Sequence, residues 1–261
     1  MPTKFGQNFL RDKTVLDNIV KAANLGADDF ILEIGPGEGV LTERLIKQAR
    51  KVVAVEIDRD LAEKLQKKFK NIKNKNIINA DILKINLPEV LVQNNFPNSD
   101  YKIVANIPYY ITSPIIRLFL ETVYPPKEML LMVQKEVAER ICAKAGNLSI
   151  LALSVQYYAN AELLFLVPKK AFFPVPEVDS AVIRITLKTK HGEREFVRKF
   201  FRVVKAGFSA KRKTLVNNLS SSLQLEKTFV KEILKQSGIS SNQRAQELSI
   251  DDWKKLALKL K

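Results

Sequence analysis

One cysteine and one histidine among 261 residues exclude much familiar chemistry. With Cys142 alone, no disulfide forms within the chain. With Cys142 and His191 as the whole complement, a Cys/His zinc site and a histidine-based triad are excluded on count, and no metal is expected. Long apolar runs are missing as well. No stretch approaches the ~18 residues of a spanning helix, so no membrane partner is expected. The opening residues, Met1-Pro2-Thr3-Lys4-Phe5-Gly6-Gln7, lack the apolar core of a signal peptide, and the expected location is the cytoplasm. Internal repeats and low-complexity stretches are absent.

Negative charge is the other shortage. Lys and Arg number 43 against 28 Asp and Glu, a formal net charge of +15. The excess is uneven: residues 190–261 hold 17 basic against 7 acidic side chains, while residues 1–189 hold 26 against 21. A basic C-terminal third on a nearly balanced body implies a polyanionic partner, nucleic acid rather than membrane. The length suits one large or two unequal domains with a full core.

What is present begins with Lys4-Phe5-Gly6-Gln7-Asn8-Phe9-Leu10, followed by a helix starting near Asp12, a plausible N-cap. That first segment could simply pin a terminus onto the body. Phe30 to Ile34 read as a buried strand, Gly35-Pro36-Gly37-Glu38-Gly39 as a tight turn, and Val40 to Ile46 as a helix. Lys51 to Glu56 form a second strand, and Glu56 stands 21 residues after Gly35, the spacing at which an acid receives ribose hydroxyls. Val40 stands where a dinucleotide fingerprint wants Gly or Ala, Pro36 removes a donor that a pyrophosphate would use, and no lysine follows the loop. A ligand with ribose and adenine but no phosphates fits better, and S-adenosylmethionine is such a ligand. Asn76 to Asp81 read as a third strand whose final acid either accepts from an adenine amine or caps the next element.

Ile103 to Ala105 form a short buried strand that runs into Asn106-Ile107-Pro108-Tyr109. Pro108 ends regular pairing. The tetrad sets an amide acceptor, a freed carbonyl and a flat ring side by side, which suits an exocyclic amine on a flat base. A loop with a buried tyrosine is the bland alternative. Further strands are expected over 128–133, 162–167 and 181–187, with helices between. Phe172-Phe173-Pro174-Val175-Pro176 is a stiff loop that could present Phe172 as a second flat face. Alternating strands and helices closed by a late strand pair mean a parallel α/β sheet with an edge hairpin.

From Arg194 the pattern is helical only. Lys211-Arg212-Lys213 lie at an apparent helix start, where the dipole disfavours cations, so a partner or a solvated charge run must explain them. Arg198, Arg202 and Lys205 support them on the preceding helix. The one candidate boundary, near Lys188 to Gly192, divides 1–189 from a basic helical 190–261.

Together these motifs resemble the ribosomal RNA adenine N6,N6-dimethyltransferases, most closely the KsgA-type enzymes of the small subunit. The resemblance covers Phe5-Gly6-Gln7-Asn8-Phe9-Leu10, Glu33-Ile34-Gly35-Pro36-Gly37, Asn106-Ile107-Pro108-Tyr109 and Gln134-Lys135-Glu136. It continues through Phe172 to Ser180, Gly207 to Thr214, and Arg244-Ala245 to Leu248-Ser249. The large-subunit macrolide-resistance enzymes share the catalytic motifs, but the Gly207 to Thr214 stretch favours the small-subunit family. Ala145-Gly146-Asn147 departs from the Tyr-Gly-Arg of many relatives, removing an aromatic and a cation.

The resemblance implies a Rossmann-like S-adenosylmethionine-dependent methyltransferase domain with a smaller all-helical RNA-recognition domain. It implies methyl transfer to N6 of two adjacent adenines in a 3'-terminal hairpin loop of small-subunit (16S) ribosomal RNA. Asn8, Leu10, Gly35, Glu56, Asp81 and Asn106 match cofactor positions. Asn106, Ile107, Pro108, Tyr109 and Phe172 match the catalytic pocket. Small-subunit RNA or an immature 30S particle is the implied partner, and a monomer is expected. A non-catalytic assembly factor and a DNA adenine methyltransferase are the alternative readings.

Overall fold

The computed structural model describes residues 7–188 and 192–260. Phe5 and Gly6 of the first motif, His191 and the 189/190 boundary lie outside the described residues. The chain divides into two compact units. One comprises the chain up to Ala138 together with Ala159–Leu187, the other Glu139–Tyr158 together with the chain from Lys188 onward. This differs from the continuous division read from sequence. Leu148, Ala152, Leu153 and Tyr157 share a core with Phe200, Val204 and Trp253. Helical periodicity marks such residues as buried without saying against which core they pack.

In the first unit β1 (Phe9–Leu10), α1 (Lys13–Ala23), β2 (Phe30–Ile34), α2 (Val40–Ile46), β3 (Lys51–Glu56), α3 (Arg59–Lys68) and β4 (Lys75–Asn79) come first. Then follow α4 (Leu87–Gln93), β5 (Lys102–Asn106), α5 (Thr112–Glu121), β6 (Glu128–Gln134), α6 (Lys135–Ile141), which runs into the second unit, β7 (Ala159–Val167), β8 (Phe172–Phe173) and β9 (Ser180–Leu187). Seven strands form one sheet in the order β4-β3-β2-β5-β6-β9-β7. The five from β4 to β6 run parallel, and β9 pairs antiparallel with both β6 and β7. Ile31, Leu32, Val52 to Val55, Ile103 to Ala105 and Met129 to Val133 are all buried, as strands covered on both faces require.

Helix α1 is fixed at both ends. Asp12 accepts from the N–H groups of Thr14 and Val15. At the other end Lys102 Nζ donates to Ala23 O at 3.2 Å and Asn24 O at 2.8 Å, and Arg184 Nη2 donates to Ala22 O at 2.7 Å. Cations from β5 and β9 thus satisfy the helix's last carbonyls, where the dipole favours positive charge.

Strand β4 stops at Asn79, so Asp81 lies in the following turn rather than ending the strand. Ala80 still donates its N–H across to Glu56 O of β3 at 3.0 Å, and the chain then turns, with the Leu83 N–H on Asp81 Oδ1 at 3.0 Å.

The second unit holds α7 (Ile150–Tyr158), α8 (Arg194–Gly207), α9 (Leu215–Leu223), α10 (Lys227–Gln236) and α11 (Ile250–Lys259) around Phe200, Leu219, Leu234 and the fully buried Trp253. Ser249 and Asp252 form the capping box of α11. Lys211, Arg212 and Lys213 precede α9 instead of starting it. They occupy the turn before Thr214, the α9 N-cap, which keeps them outside the helical turns whose N–H groups repel cations. Among the described residues no helix is long and apolar enough to cross a membrane.

Candidate active site

The strand order reverses at β2, with β3 and β4 on one side and β5 and β6 on the other. Connections leaving β2 and β5 diverge to opposite faces, opening a crevice at the carboxyl ends of the strands. A cavity of about 210 Å³ lies there, lined by Asn8, Leu10, Gly35, Glu56, Asp81, Asn106, Ile107, Pro108, Tyr109 and Phe172. Every catalytic and cofactor position expected from sequence is in this one lining. The six cations are not part of it; all belong to the second unit and all are exposed.

Gly35 and Gly37 turn the chain away from β2 with φ of +66° and +58°, a region that disfavours side chains. A Cβ on Gly37 would sit 3.2 Å from the Phe9 ring, so the loop and the first motif pack against one another. Glu56, 2% exposed, accepts from the Gly37 N–H at 3.0 Å through Oε2 and from the Asp58 N–H at 2.9 Å through Oε1. Each oxygen keeps a lone pair for a ligand hydroxyl. Burial raises its carboxyl above the usual range, while those two N–H groups oppose the rise. Asp81 is both a turn cap and an acid in the lining, and its Oδ2 lies 3.4 Å from Lys84 Nζ. Ile57 and Ile82 add apolar lining to the same cavity.

On the β5 side, Asn106 Nδ2 lies 3.5 Å from Asn8 O, at the long limit of hydrogen bonding. That orientation reserves Oδ1 as an acceptor. Ile107 is buried and donates its N–H to Met132 O at 3.2 Å. The Tyr109 hydroxyl is 2.8 Å from the buried Ser180 hydroxyl, which fixes the ring at the cavity edge, and burial raises its pKa. Phe172 is buried, paired through β8 with Leu10 of β1. Two-residue strands join the first motif to the proline-rich loop, a pairing no local pattern announces. Arg11 adds a bidentate pair to Glu38 of the glycine turn, at 2.6 Å and 2.8 Å.

Glu33 was missed by the sequence reading except as part of a motif. It is 1% exposed within β2, lines the cavity, and its Oε2 has no hydrogen-bond partner among the described residues. The signal was available: an acid inside the apolar run Ile31-Leu32-Glu33-Ile34 is costly unless something there uses it. Its carboxyl is pushed up to about 8, first by burial and then by the charge of Glu56, with the Thr42 hydroxyl opposing.

The folded chain therefore holds a proton that the unfolded chain releases near 4.5, and stability is lost as pH rises from that value toward about 8. Glu33→Gln is neutral throughout. Its melting temperature should gain on that of the parent by several degrees between about pH 5 and 8 and then level off. A pH-independent difference in thermal melts contradicts the buried neutral acid.

These residues fit S-adenosylmethionine. Glu56 suits its ribose hydroxyls, the Ile57 and Ile82 side chains its adenine, and Asp81 the adenine amino group. The glycine turn lets the backbone approach without presenting a phosphate cradle, since Pro36 has no N–H to give.

The sequence matches the family model for ribosomal RNA adenine dimethylases over residues 1–261. The ribosomal RNA small subunit methyltransferase A of Dehalococcoides mccartyi is 46% identical, over 97% of this chain and 86% of the relative. Two solved structures share the Rossmann-like methyltransferase fold with helices at the C-terminal end. The 23S rRNA methyltransferase ErmE matches with 28% identity and a TM-score of 0.78, over 97% of this chain and 99% of that one. A dimethyladenosine transferase from Plasmodium falciparum matches with 27% identity and the same score, over 96% of each. A match along the whole chain coincides with one crevice that gathers the amide, the aromatics and the acids of the motifs. The chain therefore belongs to the ribosomal RNA adenine dimethylase family.

Proposed function

We propose that the chain transfers methyl groups from S-adenosylmethionine to N6 of two adjacent adenines in the 3'-terminal hairpin loop of small-subunit ribosomal RNA, in the cytoplasm and as a monomer. One observation carries this reading: a single cavity joins an acid suited to ribose, Glu56, to an amide acceptor and an aromatic ring suited to a base amine, Asn106 and Tyr109. The 46% identity to a small-subunit enzyme against 28% to a large-subunit one supports the choice of subunit.

When bound, S-adenosylmethionine supplies an electrophilic methyl on a sulfonium. The protein's part is to prepare the amine. Adenine N6 is a poor nucleophile because its lone pair is delocalised into the ring. Asn106 Oδ1 and the Ile107 carbonyl accept its two N–H groups, and Tyr109 and Phe172 hold the ring, so the lone pair points along the line of transfer. The rate gain comes from positioning and exclusion of water. The surplus proton leaves to solvent after transfer, so no general base is needed. The base must first leave its stack, which favours loops as substrates.

A pocket for one base cannot identify one site on a ribosomal subunit. Arg198, Arg202 and Lys205 recur on one exposed face of α8, and Lys211, Arg212 and Lys213 are exposed in the turn that follows. We assign the reading of folded RNA, by shape and phosphate position, to these six. Neutralising Lys211, Arg212 and Lys213 together should weaken binding to the RNA particle and flatten the slope of log K against log salt by roughly two to three units. An unchanged slope means a solvated charge run.

The substrate itself is tested by incubating the protein with labelled S-adenosylmethionine and unmodified immature 30S particles. Label should appear as N6,N6-dimethyladenine at two adjacent positions of the loop. Label elsewhere, or on DNA instead, contradicts the assignment.

A further inference from the structure

The fold leaves two large aromatic side chains, Tyr110 and Phe173, exposed to solvent. Tyr110 follows the Asn106-to-Tyr109 tetrad, lines the cavity, and is 65% exposed. Phe173 is 64% exposed. It follows the buried Phe172 in β8, and successive strand residues point to opposite sides, so one ring faces the cavity and the next faces solvent. With consecutive Cα atoms about 3.8 Å apart, the Phe173 backbone adjoins that of a lining residue. Its partner in register is Phe9, another lining residue. Val175 and Val178 extend the exposed apolar rim along the loop, and exposed Lys169 and Lys170 precede it.

We propose that Tyr110 and Phe173 form a stacking platform for the nucleotide adjoining the adenine held in the cavity. This rests on the proposed placement of that adenine beside Asn106. Taking a base out of its stack also strips its neighbour of one face. An exposed aromatic ring restores that face without regard to sequence. Lys169 and Lys170 suit the phosphate joining the two nucleotides. Because the two target adenines are adjacent, the nucleotide on the platform is the other target. The platform thus holds the second adenine at the mouth while the first reacts, favouring modification of both before release.

A hairpin RNA with 2-aminopurine in place of the neighbouring adenine tests this, with S-adenosylhomocysteine present to prevent turnover. The parent protein should quench the probe on binding. Tyr110→Ala and Phe173→Ala should each lose much of the quenching and weaken binding roughly tenfold, and Phe173→Trp should restore both. Phe173→Ala should leave the rate of the first transfer at saturation unchanged while raising the fraction of RNA released with one adenine modified. An abasic neighbour should weaken binding to the parent but hardly further weaken binding to the Tyr110→Ala/Phe173→Ala double variant, because both changes remove the same contact. Full quenching and affinity in the Tyr110→Ala/Phe173→Ala double variant, or an abasic penalty undiminished by it, overturns the platform. Loss of activity in Asn106→Ala alongside that result leaves the pocket assignment standing. Full activity in Asn106→Ala removes the pocket assignment, and the platform with it.

Discussion

Asn106→Ala is expected to abolish methyl transfer while keeping most affinity for RNA. In the proposed mechanism the substitution removes the side-chain acceptor for the target amine and leaves the Ile107 carbonyl in place, since Ile107 is held by its own bond to Met132 O. Half of the grip on the N–H groups is then gone, and the lone pair is no longer aimed. Losing an interaction that matters only in the reacting geometry lowers kcat rather than binding. Affinity survives because phosphate contacts dominate it. The measurement is single-turnover methylation beside a filter-binding assay. Tyr109→Ala should lose roughly 1–3 kcal/mol of stacking, and Tyr109→Phe should be milder, losing only the bond to Ser180. The same variant separates enzyme from assembly factor. If cells carrying inactive Asn106→Ala assemble ribosomes normally and a deletion strain does not, assembly is the larger role.

Glu56→Ala is expected to weaken S-adenosylmethionine binding at least tenfold by calorimetry. Two ribose hydroxyls donating to one carboxylate make charge-assisted bonds worth roughly 1.5–3 kcal/mol each. The carboxylate also accepts from the N–H groups of Gly37 and Asp58, so its removal frees the glycine turn as well as the ligand site. Glu56→Gln separates the two contributions. It keeps the shape and one acceptor oxygen but loses the charge, so it should bind with intermediate affinity and melt closer to the parent. Unchanged affinity in Glu56→Ala removes the ribose assignment.

Much of this site was legible because it depends on local punctuation. The strand, the glycine turn and an acid at the end of the next strand fix one wall of the crevice through backbone geometry alone. Pro108 ends β5 where the sheet reverses, which puts Asn106 at the opening. What could not be read is non-local. The β1–β8 pairing joins residues 9–10 to 172–173, and two residues carry no period. The apolar positions of α7 announce burial equally well for either core, yet they pack with Phe200 and Trp253 in the second unit. Glu33 did carry a signal, an acid inside an apolar run, but that its Oε2 has no hydrogen-bond partner among the described residues shows only in the fold. Phe172 was legible as a flat face of the stiff loop, whereas the exposure of Phe173 beside it follows only from the strand's alternation.

The central claim, that one crevice holds the methyl donor on the Glu56 side and the base on the Asn106 side, is tested most directly by a crystal structure with S-adenosylhomocysteine bound. The ribose hydroxyls should lie within hydrogen-bond distance of the Glu56 carboxylate, the adenine amino group should face Asp81, and the sulfur should open toward Asn106 and Tyr109. A ligand bound elsewhere, or one whose sulfur faces away from Asn106, contradicts the account.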